Sequence, residues 1–126
     1  YGHEDTLLGY YLKLQGIEIM HIENPVLNGD IETNREFLQK TESGIDNLCR
    51  IVIKLNFDKA FIEDVSLLRF YNKIRKLHVV GLFNVLFFIK RPFVKWMLIH
   101  GFNWIWLFDF YKLGLFLKRI RRLKAE

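Results

Sequence analysis

The chain opens with Tyr1-Gly2-His3-Glu4-Asp5-Thr6-Leu7-Leu8-Gly9-Tyr10-Tyr11-Leu12-Lys13-Leu14-Gln15-Gly16 and runs on through Ile17-Glu18-Ile19-Met20-His21-Ile22-Glu23 to Asn24-Pro25. How this stretch is read decides the fold. Asp5 and Thr6 are good N-cap residues, because a short side-chain oxygen can accept from the unpaired amides of a first helical turn. Leu7, Leu8, Tyr11, Leu12 and Gln15 recur at helical spacing, with Leu8, Tyr11 and Leu12 on one face. Gly16 suits the left-handed residue that ends a helix. The spacing therefore predicts a helix over 5–15 with Glu4 and Asp5 at its mouth. Residues 17–23 alternate, with Ile17, Ile19 and His21 on one side and Glu18, Met20 and Ile22 on the other. That pattern predicts a strand, broken by Asn24-Pro25.

Two adjacent carboxylates at a helix mouth have two readings. They cap the helix and complement its dipole, or one of them acts as a general base. Gly2, just ahead of them, lets the backbone approach a ligand or turn tightly. Among these residues the remaining histidine of interest, His21, is either a hydrogen-bonding strand residue or a metal ligand.

The frame Gly2-x-Glu4-Asp5-x-x-x-Gly9-Tyr10-x-Leu12, with Gly16-Ile17, Asn24-Pro25-Val26 and Glu32-Thr33-Asn34-x-x-Phe37-Leu38-x-Lys40-Thr41, resembles the end of the catalytic domain of family 2 glycosyltransferases, and most of all a bacterial subgroup with a helical tail. The resemblance implies an α/β fold for the full protein (GT-A, Rossmann-like). This chain would then be a C-terminal fragment, mostly α-helical with one or two strands. Residues 1–31 would end the catalytic domain and 32–126 would form a helical extension. The implied activity is transfer of a sugar from a nucleotide-diphosphate sugar to the hydroxyl of a carbohydrate or glycolipid acceptor, in cell-surface polysaccharide or glycolipid synthesis. Asp5 is then the base that takes the acceptor proton, and Glu4 helps to place the acceptor. Asn24, Pro25 and Asn28 belong to a loop over the donor. The implied cofactor is a divalent metal, Mg or Mn, bound mainly by residues outside this chain.

Two positions depart from the family. Tyr11 stands where an Arg is common, and Asn28 where many members place a metal-binding His. Asn is an oxygen ligand and a poorer partner for a transition metal, so Asn28 and His21 are weak candidates. The aspartate-rich metal motif of the family does not occur here.

The rest of the chain reads as helices. Thr33-x-x-Glu36 has capping-box spacing and opens a helix to about Leu55. Its apolar stripe is Phe37, Leu38, Thr41, Ile45, Leu48, Cys49 and Val52, and its wet face holds Arg35, Glu36, Gln39, Glu42, Asp46 and Arg50. Gly44 reads as a weak point, costing about 1 kcal/mol against Ala. After a break at Asn56-Phe57-Asp58-Lys59, a second helix runs from about Ala60 or Asp64 to Leu77. Residues 79–89 are the most apolar run, bounded by Lys90-Arg91-Pro92, and reach about half the roughly twenty residues a membrane span requires. They form either a core helix or a hairpin half sunk in a membrane face. A last helix over about 104–124 ends in Lys118-Arg119-Ile120-Arg121-Arg122-Leu123-Lys124. Trp104, Trp106, Lys118, Arg119, Arg121 and Arg122 are the residues that would face an anionic membrane, which would place the protein in the cytoplasm, peripheral to the inner face of a bacterial membrane. An ordinary solvated tail is the alternative.

Composition agrees with a protein that offers a large apolar surface: 51% hydrophobic, 16% aromatic and +5 in formal charge, with the positive excess in the second half. One cysteine, Cys49, excludes an internal disulfide and reads as a small buried hydrophobe. The basic residues are interleaved with aliphatics and carry no nucleic-acid motif. A non-enzymatic helical module that binds a membrane or a partner helix is the rival to the transferase.

Overall fold

Local signals set the helix ends. The computed structural model describes residues 2–26, 29, 31–102 and 104–125, and the described residues form six helices: α1 (Glu4–Leu14), α2 (Asn34–Lys54), α3 (Lys59–Asp64), α4 (Ser66–Lys76), α5 (Val80–Ile99) and α6 (Ile105–Leu123). Gly16 (φ 70°) closes α1. The Ile17 amide donates to the Leu12 carbonyl and the Gly16 amide to Lys13, which satisfies two carbonyls the helix leaves open. Thr33 and Glu36 form the expected reciprocal capping box at the start of α2. Gly101 (φ 90°) ends α5 in the same way as Gly16 ends α1.

The expected strand does not form. Residues 17–26 carry no regular structure, and no strand occurs among the described residues. The α/β expectation is corrected to an all-helical arrangement. An extended segment becomes a strand only when a neighbour pairs its amides and carbonyls, and every other long element here is a helix that satisfies its own. Ile19, Met20 and Ile22 are accordingly exposed.

Three further expectations change. The helix expected from about Ala60 or Asp64 to Leu77 is α4 from Ser66, preceded by a separate short α3, the two parted by an extended Val65. Asp58 caps α3 by accepting from the Phe61 amide, and Arg69 donates to the Glu63 carbonyl across the break. The apolar run does not stop at Lys90-Arg91-Pro92. α5 continues through Pro92 to Ile99, because proline forfeits one backbone bond and packing on both sides holds the helix on course. On α1 the buried face is that of Tyr10, with Leu7 packed beside it, while Leu8 and Tyr11 are exposed.

α6 is the centre. It touches α2, α4 and α5, and Tyr111, Leu113 and Phe116 on it are fully buried. Two apolar clusters meet along its length. The larger joins Tyr10 of α1, Leu48 and Val52 of α2, Phe61 of α3, Leu68 and Tyr71 of α4, and Phe116 and Ile120 of α6. The smaller joins Leu38 of α2, Phe87, Val94 and Leu98 of α5, and Leu107 and Tyr111 of α6. Cys49 lies in the larger cluster with its Sγ 3.8 Å from the Phe116 carbonyl. Burial, then the Asp46 carboxylate, pushes its thiol up to about 12, so it packs as an inert hydrophobe.

Gly114 is where α5 and α6 come closest. A Cβ there would lie 2.0 Å from Phe87 Cδ2 and 2.3 Å from its Cγ, so the ring rests on bare α6 backbone. Beside this contact Glu42 of α2 accepts from Lys95 Nζ of α5 (2.7 Å) and from the Tyr111 hydroxyl of α6. Burial alone would raise the Glu42 carboxyl. The hydrogen bonds from Lys95 and Tyr111, and the charges of Lys95 and Arg91, outweigh it and hold the carboxyl below its usual value. Burial, then Glu42, raises the Tyr111 phenol. Glu42 and Asp46 thus leave the wet face assigned to them: both are only half exposed, and Asp46 pairs with Arg50 and Arg119.

Two outcomes follow from these contacts. Gly114→Ala will lower stability by about 1–2 kcal/mol, because overpacking against a rigid ring exceeds the propensity gain of about 1 kcal/mol. Phe87→Leu added to it will recover part of the loss, and a denaturant double-mutant cycle reads the coupling. Glu42→Gln will cost about 1–3 kcal/mol at pH 7 by weakening charge-assisted hydrogen bonds. The Glu42 carboxyl is lower in the folded than in the unfolded chain, so its contribution is full above the ordinary carboxylate range and lost as pH falls through the depressed value. The stability gap between wild type and Glu42→Gln should therefore shrink on acidification from pH 7 to pH 3.

Candidate active site at the mouth of the first helix

The mouth of α1 is held by α2. Gly2 (φ 85°) lies so close to Gly44 that a Cβ on Gly2 would stand 3.0 Å from the Gly44 Cα. Asn47 Nδ2 donates to the Gly2 carbonyl. Two glycines that read separately as a turn and as a weak spot are therefore one contact. Farther along, Lys13 Nζ reaches Asp64 Oδ1 at 2.8 Å and ties α1 to the end of α3. Tyr10 stacks edge-on against Phe61, centroids 5.3 Å apart. Burial, then the Asp58 carboxylate, raises its phenol.

His3, not Asp5 or Thr6, occupies the N-cap position. It is left-handed (φ 67°) and its side chain makes no capping bond. Glu4 and Asp5 are the first two helical residues, and both are exposed. Asp5 Oδ1 accepts from the Thr6 amide at 2.8 Å, and the Thr6 hydroxyl lies 3.5 Å from the same oxygen. The carboxylate thus serves one open amide from inside the helix. Both contacts fall on Oδ1, so Oδ2 is the oxygen that could take a proton. The sequence reading passed over His3, whose ring is half-buried beside these carboxylates, with Nδ1 3.4 Å from Thr6 Oγ1. Burial lowers its imidazole, Asp5 and Glu4 oppose that, and Lys112 adds to it. The signal was its position directly before the pair.

The other predicted site residues are spread out. His21 is exposed and lines a shallow cleft with Thr6, Tyr10, Lys13, Glu18 and Asp64. Asn24 and Pro25 are exposed and outside regular structure. Asn28 lies outside the described residues. No group of three or more His, Cys, Asp or Glu side chains among the described residues could hold a metal ion. At the far end, Trp104 and Trp106 stack on each other (5.3 Å) and are exposed. Arg119 turns to Asp46, while Lys118 and Arg121 line a groove against α5.

Comparison with protein-family models, with curated proteins and with solved structures gives no match.

The Gly2–Gly44 contact generates a paired outcome. Gly2→Ala will destabilise by about 1–2 kcal/mol, since an L side chain resists the left-handed region and its Cβ abuts α2. Gly44→Ala will be neutral or stabilising by up to about 1 kcal/mol, because its Cβ would meet only His3 Cδ2, at 4.0 Å. Chemical denaturation of the two variants checks the order.

Proposed function

We propose that the protein is a glycosyltransferase of the family 2 kind, transferring a sugar from a nucleotide-diphosphate sugar to a hydroxyl of a carbohydrate or glycolipid acceptor. The observation that supports this reading most is the state of Asp5. It is an exposed carboxylate, positioned through Oδ1 by the Thr6 amide, on a helix start that is itself seated on α2. A sugar hydroxyl is a poor nucleophile until its proton is being removed. In the proposed reaction the acceptor oxygen attacks the anomeric carbon, Asp5 Oδ2 takes its proton, and the diphosphate leaves with the bonding pair. Attack opposite the leaving group inverts the anomeric centre. Glu4, one residue back on the same exposed turn, orients the acceptor by accepting from a neighbouring hydroxyl.

A carboxylate that only tied down the helix start would be replaceable by Asn, whose side-chain oxygen can still accept from the Thr6 amide. A base would not, because an amide cannot take the proton. Asp5→Asn in the full-length protein will therefore reduce transfer by about 10²–10⁴-fold with donor binding and thermal stability largely kept. Sugar transfer across a panel of nucleotide sugars, beside calorimetric donor binding, reads both. Unchanged turnover in the variant would remove Asp5 from the chemistry.

A further inference from the structure

α5 presents an outward stripe that nothing in the structure covers. Leu82, Val85, Leu86, Ile89, Phe93 and Trp96 recur at three- and four-residue steps, and each is 45–63% exposed. Phe88, beside the stripe, is 84% exposed. Scattered apolar residues on a surface are ordinary, but a continuous stripe marks a contact site. Among the described residues no single helix is long and apolar enough to cross a membrane, and the one pair that passes by length and composition, α4 with α5, is bent by 119°, a geometry in which α5 can lie along a surface.

The charge beside it identifies the kind of surface. Between α5 and α6 runs a groove of ≈ 700 Å³ with an apolar floor, Val85, Phe87, Phe88 and Pro92, and a rim of Arg91, Lys95, Lys118 and Arg121. Lys95 is engaged by Glu42, whereas Lys118 and Arg121 have no carboxylate partner among the described residues. α5 itself contains no Asp or Glu. Residues 65–126 hold 13 of the 19 Lys and Arg but only 2 of the 14 Asp and Glu. A partner protein face could match the apolar stripe. A sheet of phosphates above hydrocarbon matches the stripe and the cationic rim together, in the order in which they lie.

We propose that the α5 stripe and the α5–α6 groove form a binding site for an anionic lipid bilayer, with α5 lying in the interface and a lipid phosphate seated between Arg91, Lys118 and Arg121. The stripe takes the acyl boundary, Trp96 sits at headgroup depth as interfacial aromatics do, and Phe88 and Pro92 line the entry for the uppermost part of one chain. The helix lies flat: its cations Lys90, Arg91 and Lys95 fall mid-length and would be stranded in hydrocarbon if it crossed. This site is independent of Asp5 and stands or falls without the transferase reading.

The test is flotation of the protein with vesicles of phosphatidylcholine alone and of phosphatidylcholine with phosphatidylglycerol. The expected result is binding only to the anionic vesicles at low salt, with a blue shift of tryptophan emission that Trp96→Phe diminishes. Binding is released at about 1 M salt, where the screening length falls to about 3 Å. Lys118→Glu/Arg121→Glu should weaken it at least tenfold, and Leu86→Asn/Ile89→Asn should weaken it while leaving circular dichroism unchanged. A folded protein that ignores anionic vesicles at low salt would overturn the proposal, as would equal binding by the charge-reversed variant. Release by millimolar inorganic phosphate at constant ionic strength would mean a soluble-anion site instead. Self-association abolished by Leu86→Asn/Ile89→Asn, without vesicle binding, would assign the stripe to a second copy of the chain.

Discussion

The contact between the Phe87 ring and the bare backbone of Gly114 sets the geometry of the rest. α5 can approach α6 this closely only where α6 has no side chain. Once Phe87 is seated, helical periodicity fixes the other faces of α5. Val94 and Leu98, two and three turns on, fall into the same cluster, and the stripe from Leu82 to Trp96 is turned away from it. The outward apolar surface is thus a consequence of how α5 is docked. An α5 rotated by half a turn would bury the stripe and expose Phe87, and Gly114 would have no reason to be glycine.

Glu42 is the polar counterpart of that contact. It reaches from α2 into the junction with α5 and α6 and takes hydrogen bonds from one residue on each. A half-buried carboxylate with two donors is worth more than an exposed ion pair, because little water competes for it. It also fixes register: Lys95 and Tyr111 can both reach Glu42 only when the three helices stand at one relative height. The mouth of α1 depends on the same helix, since Gly44 and Asn47 follow Glu42 on α2 and hold the Gly2 segment. Asp5 is therefore positioned by a helix whose own placement is set by the core, although Asp5 is itself on the surface.

What the sequence made legible is local. The Thr33–Glu36 box and the Gly16 stop are settled by hydrogen bonds within a few residues, and both formed as read. The strand over 17–23 failed because alternation states only that a segment suits a sheet, not that a neighbour exists to pair with it. The apolar run over 79–89 was bounded at Lys90-Arg91-Pro92, whereas α5 continues to Ile99, because Phe87 on one side of Pro92 and Val94 and Leu98 on the other pack into one cluster. Gly114 was opaque for a related reason: a glycine in a helix reads as a cost until the residue lying against it is known, here Phe87. Glu42 and Asp46 were assigned to water because α2 alone is amphipathic in that sense. The cations that meet them, Lys95 and Arg119, lie dozens of residues away. For the candidate site, the Glu4–Asp5 pair was legible as residues of a helix start, whereas the role of His3 as the N-cap residue was not.

The basic run at the end of α6 shows how helical geometry divides what composition lumps together. Lys118, Arg119, Arg121 and Arg122 read as one cluster, and a cluster of four cations suggests one partner. At 100° per residue they separate. Arg119 and Arg122, three apart, line the α2 groove together with Lys118, and Arg119 meets Asp46 there. Lys118 also borders the α5 groove, with Arg121, so it stands between the two. Arg119 serves internal neutralisation: the acidic first half of the chain and the basic second half meet across α2 and α6. Arg121 faces the α5 groove, whose lining supplies apolar residues and cations but no Asp or Glu. Helical geometry, which composition does not carry, is thus what parts Arg121, at the margin of the exposed apolar stripe, from Arg119, which the fold neutralises itself.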